Sequence, residues 1–310
     1  MKQSILTALL LSVLLSPGAF AATKQTSINL TSFNSISVSG PFKVSLVKGA
    51  DYRILITLEE PYMDYLVCNV SGQTLQLDLD ERNVPVEVKR QFRGKGSPDP
   101  VFSAVVYVPD AVRSVVLNGK SVLHDTEDVF DKSEVFFTLN DNSNVNNLDV
   151  DSRHVHIVMQ NKSTADFSVV CDKLEAETFN SASLSISDAS AESNYYLQNS
   201  SSVSAVCRTS TLNVNSRSNS AMTVSGTGDN AIYNLGGTSE VHADKFEVPD
   251  AKVTMSSLCV LSQSAYRKLT VNLSGGATLV FANNPQIDIE IVKASTITRA
   301  EGDVNTNKSE

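Results

Sequence analysis

Apolar and polar residues alternate along most of this chain. Before residue 108 the stretches INLTSF, SISVSG, FKVSLV, YRILITLE, LVCNVSG and LQLDLD follow the alternation, with Gly40, Gly49 and Gly72 between them. A two-residue period turns successive side chains to opposite faces, so each stretch predicts a strand buried on one side. VFSAVVYV, residues 101–108, predicts another and stops at Pro109. No segment of this half carries an apolar stripe at the 3.6-residue period, so no helix is predicted there.

Beyond Pro109 the alternation is organised into a repeat. Small polar clusters, each closed by one apolar residue, end at Leu123, Val145, Ala165, Leu184, Val203, Met222, Val241, Val260, Leu279 and Ile297, most of them 19 residues apart. Two residues before each stands Ser121, Ser143, Ser163, Ala182, Ser201, Ser220, Ser239, Leu258, Ala277 and Ser295, so nine of ten positions hold serine or alanine. A second column, eight residues before each closing residue, runs Val115, Phe137, Ile157, Ala176, Tyr195, Val214, Tyr233, Lys252, Val271 and Ile289. Lys252 marks a local slip of one, with Val253 and Met255 supplying the apolar pattern. A third column lies two residues further on and ends at Ile291.

A period near nineteen suits a coil of short strands better than helical repeats of thirty or more residues. One rung cannot bury its own apolar face, whereas stacked rungs share a continuous core. At about 4.8 Å per rung, ten rungs span roughly 45–50 Å. The small column marks bends with little interior volume, where hydroxyls can bond local backbone. Glycine and asparagine at the preceding bends suit left-handed backbone angles. An antiparallel sandwich would explain the alternation equally well, but gives no reason for a serine column at constant period. The expected fold class is therefore all-β, a single-stranded β-helix (β-solenoid) of about 19-residue rungs over residues 110–300. Residues 22–109 are expected to form an N-terminal β-rich region or cap packed on it.

The chain of 310 residues is 41% hydrophobic and carries a net charge of -9, enough apolar content for a core and too acidic for general nucleic-acid binding. Residues 1–21 have the shape of a signal peptide: Lys2, an apolar run over residues 5–15, a break at Ser16-Pro17-Gly18, and Ala19-Phe20-Ala21 before a cleavage point. Eleven apolar residues are too few to span a bilayer, and no later segment approaches that length. Export to the periplasm or cell surface is expected. Residues 301–310 are polar and are expected to fray. Four cysteines, Cys68, Cys171, Cys207 and Cys259, match no zinc or redox spacing, and burial as free thiols is the default.

These residues also carry a family resemblance. FNSISVSGPFKV (residues 33–44), the strand ending Val47-Lys48-Gly49, YRILITLEE and VVYVPDAVRSVVLNGKSVL (residues 105–123) resemble the auto-transporter adhesin, head-GIN-domain family. The resemblance spans roughly residues 27–297. It implies an exported protein of right-handed β-helical architecture, and it carries over no catalytic residue. This chain departs from glycine-rich relatives in using serine and asparagine at many bends.

Candidate chemistry is sparse. Glycoside hydrolysis needs two carboxylates facing each other across a cleft, and the pairs Asp149/Asp151 and Glu175/Glu177 lack an evident aromatic platform apart from Tyr195 and Tyr196. Glu134, His154 and His156 are candidate metal ligands, short of the fourth ligand that a stable site usually has. Rung stacking predicts an outward charged ladder of Glu134, His154, Lys173 and Glu192. Glu240 and His242 form a weaker pair. Lys89, Arg90, Arg93 and Lys95 form a candidate patch for an anionic surface or glycan, or simply a solvated hairpin loop. Gly226-x-Gly228 lacks the third glycine of a dinucleotide loop and reads as a bend. No cofactor is expected. The reading is an exported envelope-associated binding or structural module, adhesin-like, with a carbohydrate-active enzyme using a surface groove as the alternative. Expected partners are a glycan or an envelope protein, and a homodimer through terminal rungs or edge strands is a candidate assembly.

Overall fold

A computed structural model describes residues 22–92 and 99–300. The expected signal peptide, Arg93, Lys95 and the tail at 301–310 lie outside the described residues. Strands account for 67% of the structure, wound into a β-solenoid of about 10 turns with rungs about 19 residues apart.

Each full rung is one long strand bent at a corner. β13 (Thr164–Phe179), β14 (Ser183–Gln198), β15 (Ser202–Ser216), β16 (Ala221–Leu235), β17 (Glu240–Ser256) and β18 (Val260–Ser274) stack in parallel. In β14 the inward set is Leu184, Ile186, Asp188 and Ser190, then parity slips once and Ser193, Tyr195 and Leu197 continue it. The slip is the corner. It divides the coil into a first wall, before the corner, and a second wall after it.

The closing column is one stack: Ala165 pairs with Leu184, Leu184 with Val203, Val203 with Met222, and Met222 with Val241. All five side chains are buried. The next member is Leu261, not Val260, because Val241 pairs with Leu261. An extra residue in β17, at the register shift after Thr223, lengthens this rung. The same slip puts Val253 under Tyr233, turns Lys252 outward, exposes Leu258 and places Cys259 in the buried small column.

The small column packs as the volume argument requires. Ser121, Ser201, Ser220 and Ser239 are buried. Ser121 Oγ donates to the Asn118 carbonyl at 2.9 Å and Ser220 Oγ to the Arg217 carbonyl at 2.8 Å, each three residues back. Cys259 Sγ repeats the contact to Ser256 O at 3.3 Å. A short donor thus closes these bends from inside, while Ala182 and Ala277 fill the same position by size alone and the Ser143 and Ser163 hydroxyls are buried without a partner.

The N-terminal strands join the same two walls out of chain order. β2 (Ser35–Val38) lies between β6 (Thr74–Leu79) and β8 (Ser114–Leu117), parallel to both. β3 (Lys43–Lys48) lies likewise between β7 (Phe102–Val108) and β9 (Val122–Leu123). The chain therefore starts in one rung, steps outward to build the rung beyond it, and returns to continue the coil. Antiparallel strands β1 (Thr23–Asn29), β4 (Arg53–Glu59) and β5 (Leu66–Ser71) finish this end. A short helix, α1 (Val86–Gln91), stands where no helix was expected. VEVKRQ keeps none of its side chains in the core, so it leaves no apolar stripe to read.

Stacked on β8 and β9, the strands β10 (Glu134–Leu139), β11 (Asn144–Asp151) and β12 (His154–Met159) lead into the long rungs, and β19 (Thr278–Ala282), β20 (Gln286–Lys293) and β21 (Thr296–Arg299) follow them at the other end. Ile289 and Ile291, expected in core columns, are exposed here. Ile289 keeps its inward register under Val271, but no described strand pairs with its other side; at Ile291 a bulge shifts the strand so that it pairs with Asn272.

The four cysteines stand as separate thiols. Burial pushes the Cys68 thiol up to about 11 and that of Cys171 to about 12, with Asp188 adding to the latter. The thiolate is the reactive form. Native protein at pH 8 is therefore expected to react with iodoacetamide far more slowly than unfolded protein. Mass spectrometry of the time course checks this, and labelling of Cys171 at the unfolded rate would contradict it.

Candidate binding surface

The outward residues of the second wall stack in straight columns because the register between rungs is unbroken over most of the coil. Glu134 pairs with His154, His154 with Lys173, and Lys173 with Glu192, so the expected charged ladder is present. The adjacent column runs Phe136, His156, Glu175, Asn194 and Asn213. The third contains Glu177, Tyr196, Asn215 and Asn234.

Carboxylate contacts converge on His156 rather than His154. His156 Nε2 lies 3.3 Å from Glu134 Oε1, and Nδ1 lies 2.8 Å from Glu175 Oε2. Its ring stacks on Phe136 with centroids 4.6 Å apart. Lys173 Nζ reaches Glu175 Oε1 at 2.6 Å; the ammonium holds the Glu175 carboxyl below its usual range, and Glu175 in turn holds Lys173 up. Glu134 and His156 are thus brought together, with His154 on the neighbouring column. Among the described residues, no group of three or more His, Cys, Asp or Glu side chains surrounds a common metal position.

Further along the wall the contacts become amide ladders. Asn213 Nδ2 donates to Asn194 Oδ1 at 2.9 Å and Asn234 Nδ2 to Asn215 Oδ1 at 3.2 Å. Asn213 and Asn234 each keep one amide hydrogen for a ligand, whereas Asn194 spends its own on Glu192 Oε1 at 2.9 Å and the Leu174 carbonyl at 3.4 Å and keeps only acceptor capacity. Tyr196 is half exposed beside them. At the turns Asn199 donates to Asn180, and Ser218 to Asn199. Asn180, Asn199 and Ser218 have positive φ, as the bends demand.

The first wall is built of smaller groups. Thr164, Ser183 and Ser202 form one outward column and Asp166, Ser185, Ser204 and Thr223 the next. Ser202 Oγ donates to Ser183 Oγ at 3.1 Å.

The other candidates are held in local contacts. Asp151 accepts from Lys132 at 3.3 Å, and Glu240 faces His242 at 2.9 Å. Tyr195 is fully buried and offers no sugar platform. Lys89 and Arg90 occupy the last turn of α1, and Lys89 Nζ bonds the Glu81 carbonyl at 2.5 Å. Gly226 and Gly228 lie within β16, where the rung bends at its corner, in keeping with the reading as a bend.

Sequence reasoning missed a polar node inside the bore. Tyr195 Oη donates to Asp188 Oδ2 at 2.8 Å, and Cys207 Sγ lies 3.7 Å from the same oxygen. All three are buried. Desolvation, then the neighbouring Cys207 and Asp188, push the Tyr195 phenol far up. Strict alternation from Leu184 through Ile186 already assigned Asp188 an inward position, so the signal was present. The exposed fork of Arg267 on Asp250 and the Lys268–Asp288 pair were also missed. These depend on which rung lies beneath, and that register follows the slip in β17.

Among the described residues, no helix is long and apolar enough to cross a membrane. No curated protein matches the chain. Solved structures that match the chain include a putative lipid binding protein from Parabacteroides distasonis ATCC 8503, 18% identical with a TM-score of 0.47 over 90% of this chain and 97% of that one. A putative adhesin from Parabacteroides merdae ATCC 43184 is 12% identical with a TM-score of 0.47, covering 90% and 96%. The model of one family, described as putative auto-transporter adhesin, head GIN domain, matches residues 32–205 and again 169–285. Its two matches overlap along the coil, as a repeat of equivalent rungs allows, and together they cover well over half of the sequence: the chain belongs to the putative auto-transporter adhesin, head GIN domain family.

Proposed function

We propose that this protein is an exported, envelope-associated binding module, acting at the periplasmic or outer face of the cell, whose second wall engages glycan. The observation that carries the reading is the set of register-locked columns. Tyr196, Asn194, Asn213, Asn215 and Asn234 form a flat array of hydrogen-bonding amides around one exposed ring. Pyranose rings are recognised by such a pairing of an apolar face with convergent polar groups. Family membership supports a binding role, and an envelope protein is the other partner compatible with it. A second copy of the chain, docked on the C-terminal rung, belongs to the same reading.

The test is retention on a glycan array together with a polysaccharide-degradation assay. Saturable retention without turnover is expected, and the double variant Tyr196→Ala/Asn213→Ala is expected to weaken it about tenfold or more while leaving the melting temperature unchanged. Release of sugar fragments that disappears in Glu175→Gln would establish the carbohydrate-active enzyme instead.

A further inference from the structure

The second wall changes sign along its length. Through β14 its outward acids are Glu134, Glu175, Glu177 and Glu192. No acidic residue follows from Ser193 to Gly228, although the whole chain has a net charge of -9. On the second-wall stretches of β15 to β18 the one carboxylate among the described residues is Asp250, and Arg267 forks onto it. Arg217 and Lys252 stand on the same stretches or just past them. Both are exposed, and among the described residues neither makes an ion pair or a side-chain hydrogen bond.

Arg217 stands at the rim of a hollow. Leu197, Ser216, Leu235 and Met255 pair in series, so the residues that follow them, Gln198, Arg217, Gly236 and Ser256, line up at the edge of the wall. Over Gly236 lies an open depression of about 630 Å3, bounded by Arg217, Asn215, Asn234 and Ser256. Gly236 does not have a left-handed φ, and a Cβ there would meet only Ser256 Oγ, at 3.3 Å. The backbone therefore does not require glycine at this position; its effect is to leave the hollow open. Asn215 Oδ1 accepts from Asn234, while its own amide hydrogens are unspent, so the hollow has donors beside the guanidinium. Tyr196 pairs with Asn215, which makes it the diagonal neighbour of Arg217, about 8 Å away between backbones.

We propose that the saccharide held by the second wall is acidic: its ring lies on Tyr196, and its anion, a carboxylate or a sulfate ester, is held by Arg217 over Gly236. The inference rests on the glycan reading above and names the chemical class of the ligand and its direction on the wall. A guanidinium offers two parallel N–H donors, which match two oxygens of one anion. Glu177 pairs with Tyr196 on its other side and repels an anion there, so the acid group points toward Arg217 and Lys252 rather than toward β13.

The test compares retention of the full chain on neutral, uronate-bearing and sulfated glycans of one array. The retained set is expected to be acidic, its uronate or sulfate members identifying the anion, and to weaken severalfold at high salt. Arg217→Gln is expected to lose about tenfold or more on acidic glycans, with an unchanged melting temperature because the side chain has no partner to lose. Arg217→Lys keeps the charge without the fork and is expected to recover only part of the loss. Gly236→Gln fills the hollow and is expected to act like Arg217→Gln. Equal retention of neutral and acidic glycans, or acidic retention that survives Arg217→Gln, would overturn the inference and leave the wall a glycan-binding surface. Acidic retention that Arg217→Gln abolishes but Tyr196→Ala leaves intact would overturn the pairing of ring and anion. No retention of any glycan would overturn both this inference and the function on which it rests.

Discussion

Replacing Gly226 by alanine is expected to cost about 3 kcal/mol or more, among the largest losses open to one methyl group. Gly226 lies in β16 with φ of +115°, a region that side-chain-bearing residues rarely enter. A Cβ there would sit 2.0 Å from the Cys207 carbonyl oxygen, which belongs to the neighbouring rung's backbone and cannot turn aside. Two positions on, a Cβ at Gly228 would meet Phe246 Cζ and the Thr209 carbonyl oxygen, both at 2.8 Å. The extra residue in β17 accounts for the second of these contacts: it brings buried Phe246 beneath this stretch, and the ring occupies the corner volume that Gly228 leaves open. Chemical denaturation of Gly226→Ala checks the prediction. A loss below 1 kcal/mol would mean that the backbone at this corner relaxes freely. The variant Gly72→Ala is a useful comparison: its φ is +56°, but nothing lies within 4 Å of the added atom, so it carries the conformational cost alone.

The two buried tyrosines of the bore are expected to respond oppositely to loss of their hydroxyls. Tyr195→Phe removes the 2.8 Å donor to Asp188, whose second oxygen, Oδ1, has no hydrogen-bond partner. A buried carboxyl left with only the weak Cys207 thiol donor loses more than an average hydrogen bond, and a cost of about 2–3 kcal/mol is expected. Tyr233→Phe removes a buried hydroxyl that itself has no hydrogen-bond partner, so it is expected to be neutral or stabilising by up to about 1 kcal/mol. Both rings are fully buried and lie two rungs apart in one column, so packing loss is matched between them. Melting of the two variants side by side reads the difference directly. Equal destabilisation would show that the Asp188 node contributes nothing specific.

Much of the coil was legible before any coordinates. Alternation placed Leu184, Val203 and Met222 inward, the near-constant spacing stacked them, and the serine column marked the bends. The charged ladder through Glu134, His154, Lys173 and Glu192 followed from the same spacing, and the structure has that register. The candidate site was less legible. His154 and His156 are equivalent by pattern, but only His156 lies between two glutamates and on Phe136. Which histidine gains partners depends on side-chain reach across diagonal neighbours, a property that column position does not encode.

The chain's own pattern determined the strands, their inward faces, the rung length and the small bends, because a two-residue side-chain period and a roughly 19-residue repeat are local properties that any stretch displays by itself. Tertiary structure alone decided three further matters. It inserted β2 and β3 between strands that follow them in sequence, it carried the slip marked at Lys252 on to the next bend so that Cys259 and Leu261 replaced Leu258 and Val260, and among the described residues it left Ile289 uncovered. Each is settled by pairing between residues far apart in the chain. There the volume of one side chain, such as Phe246, or the presence of a next rung decides among registers that local alternation fits equally well.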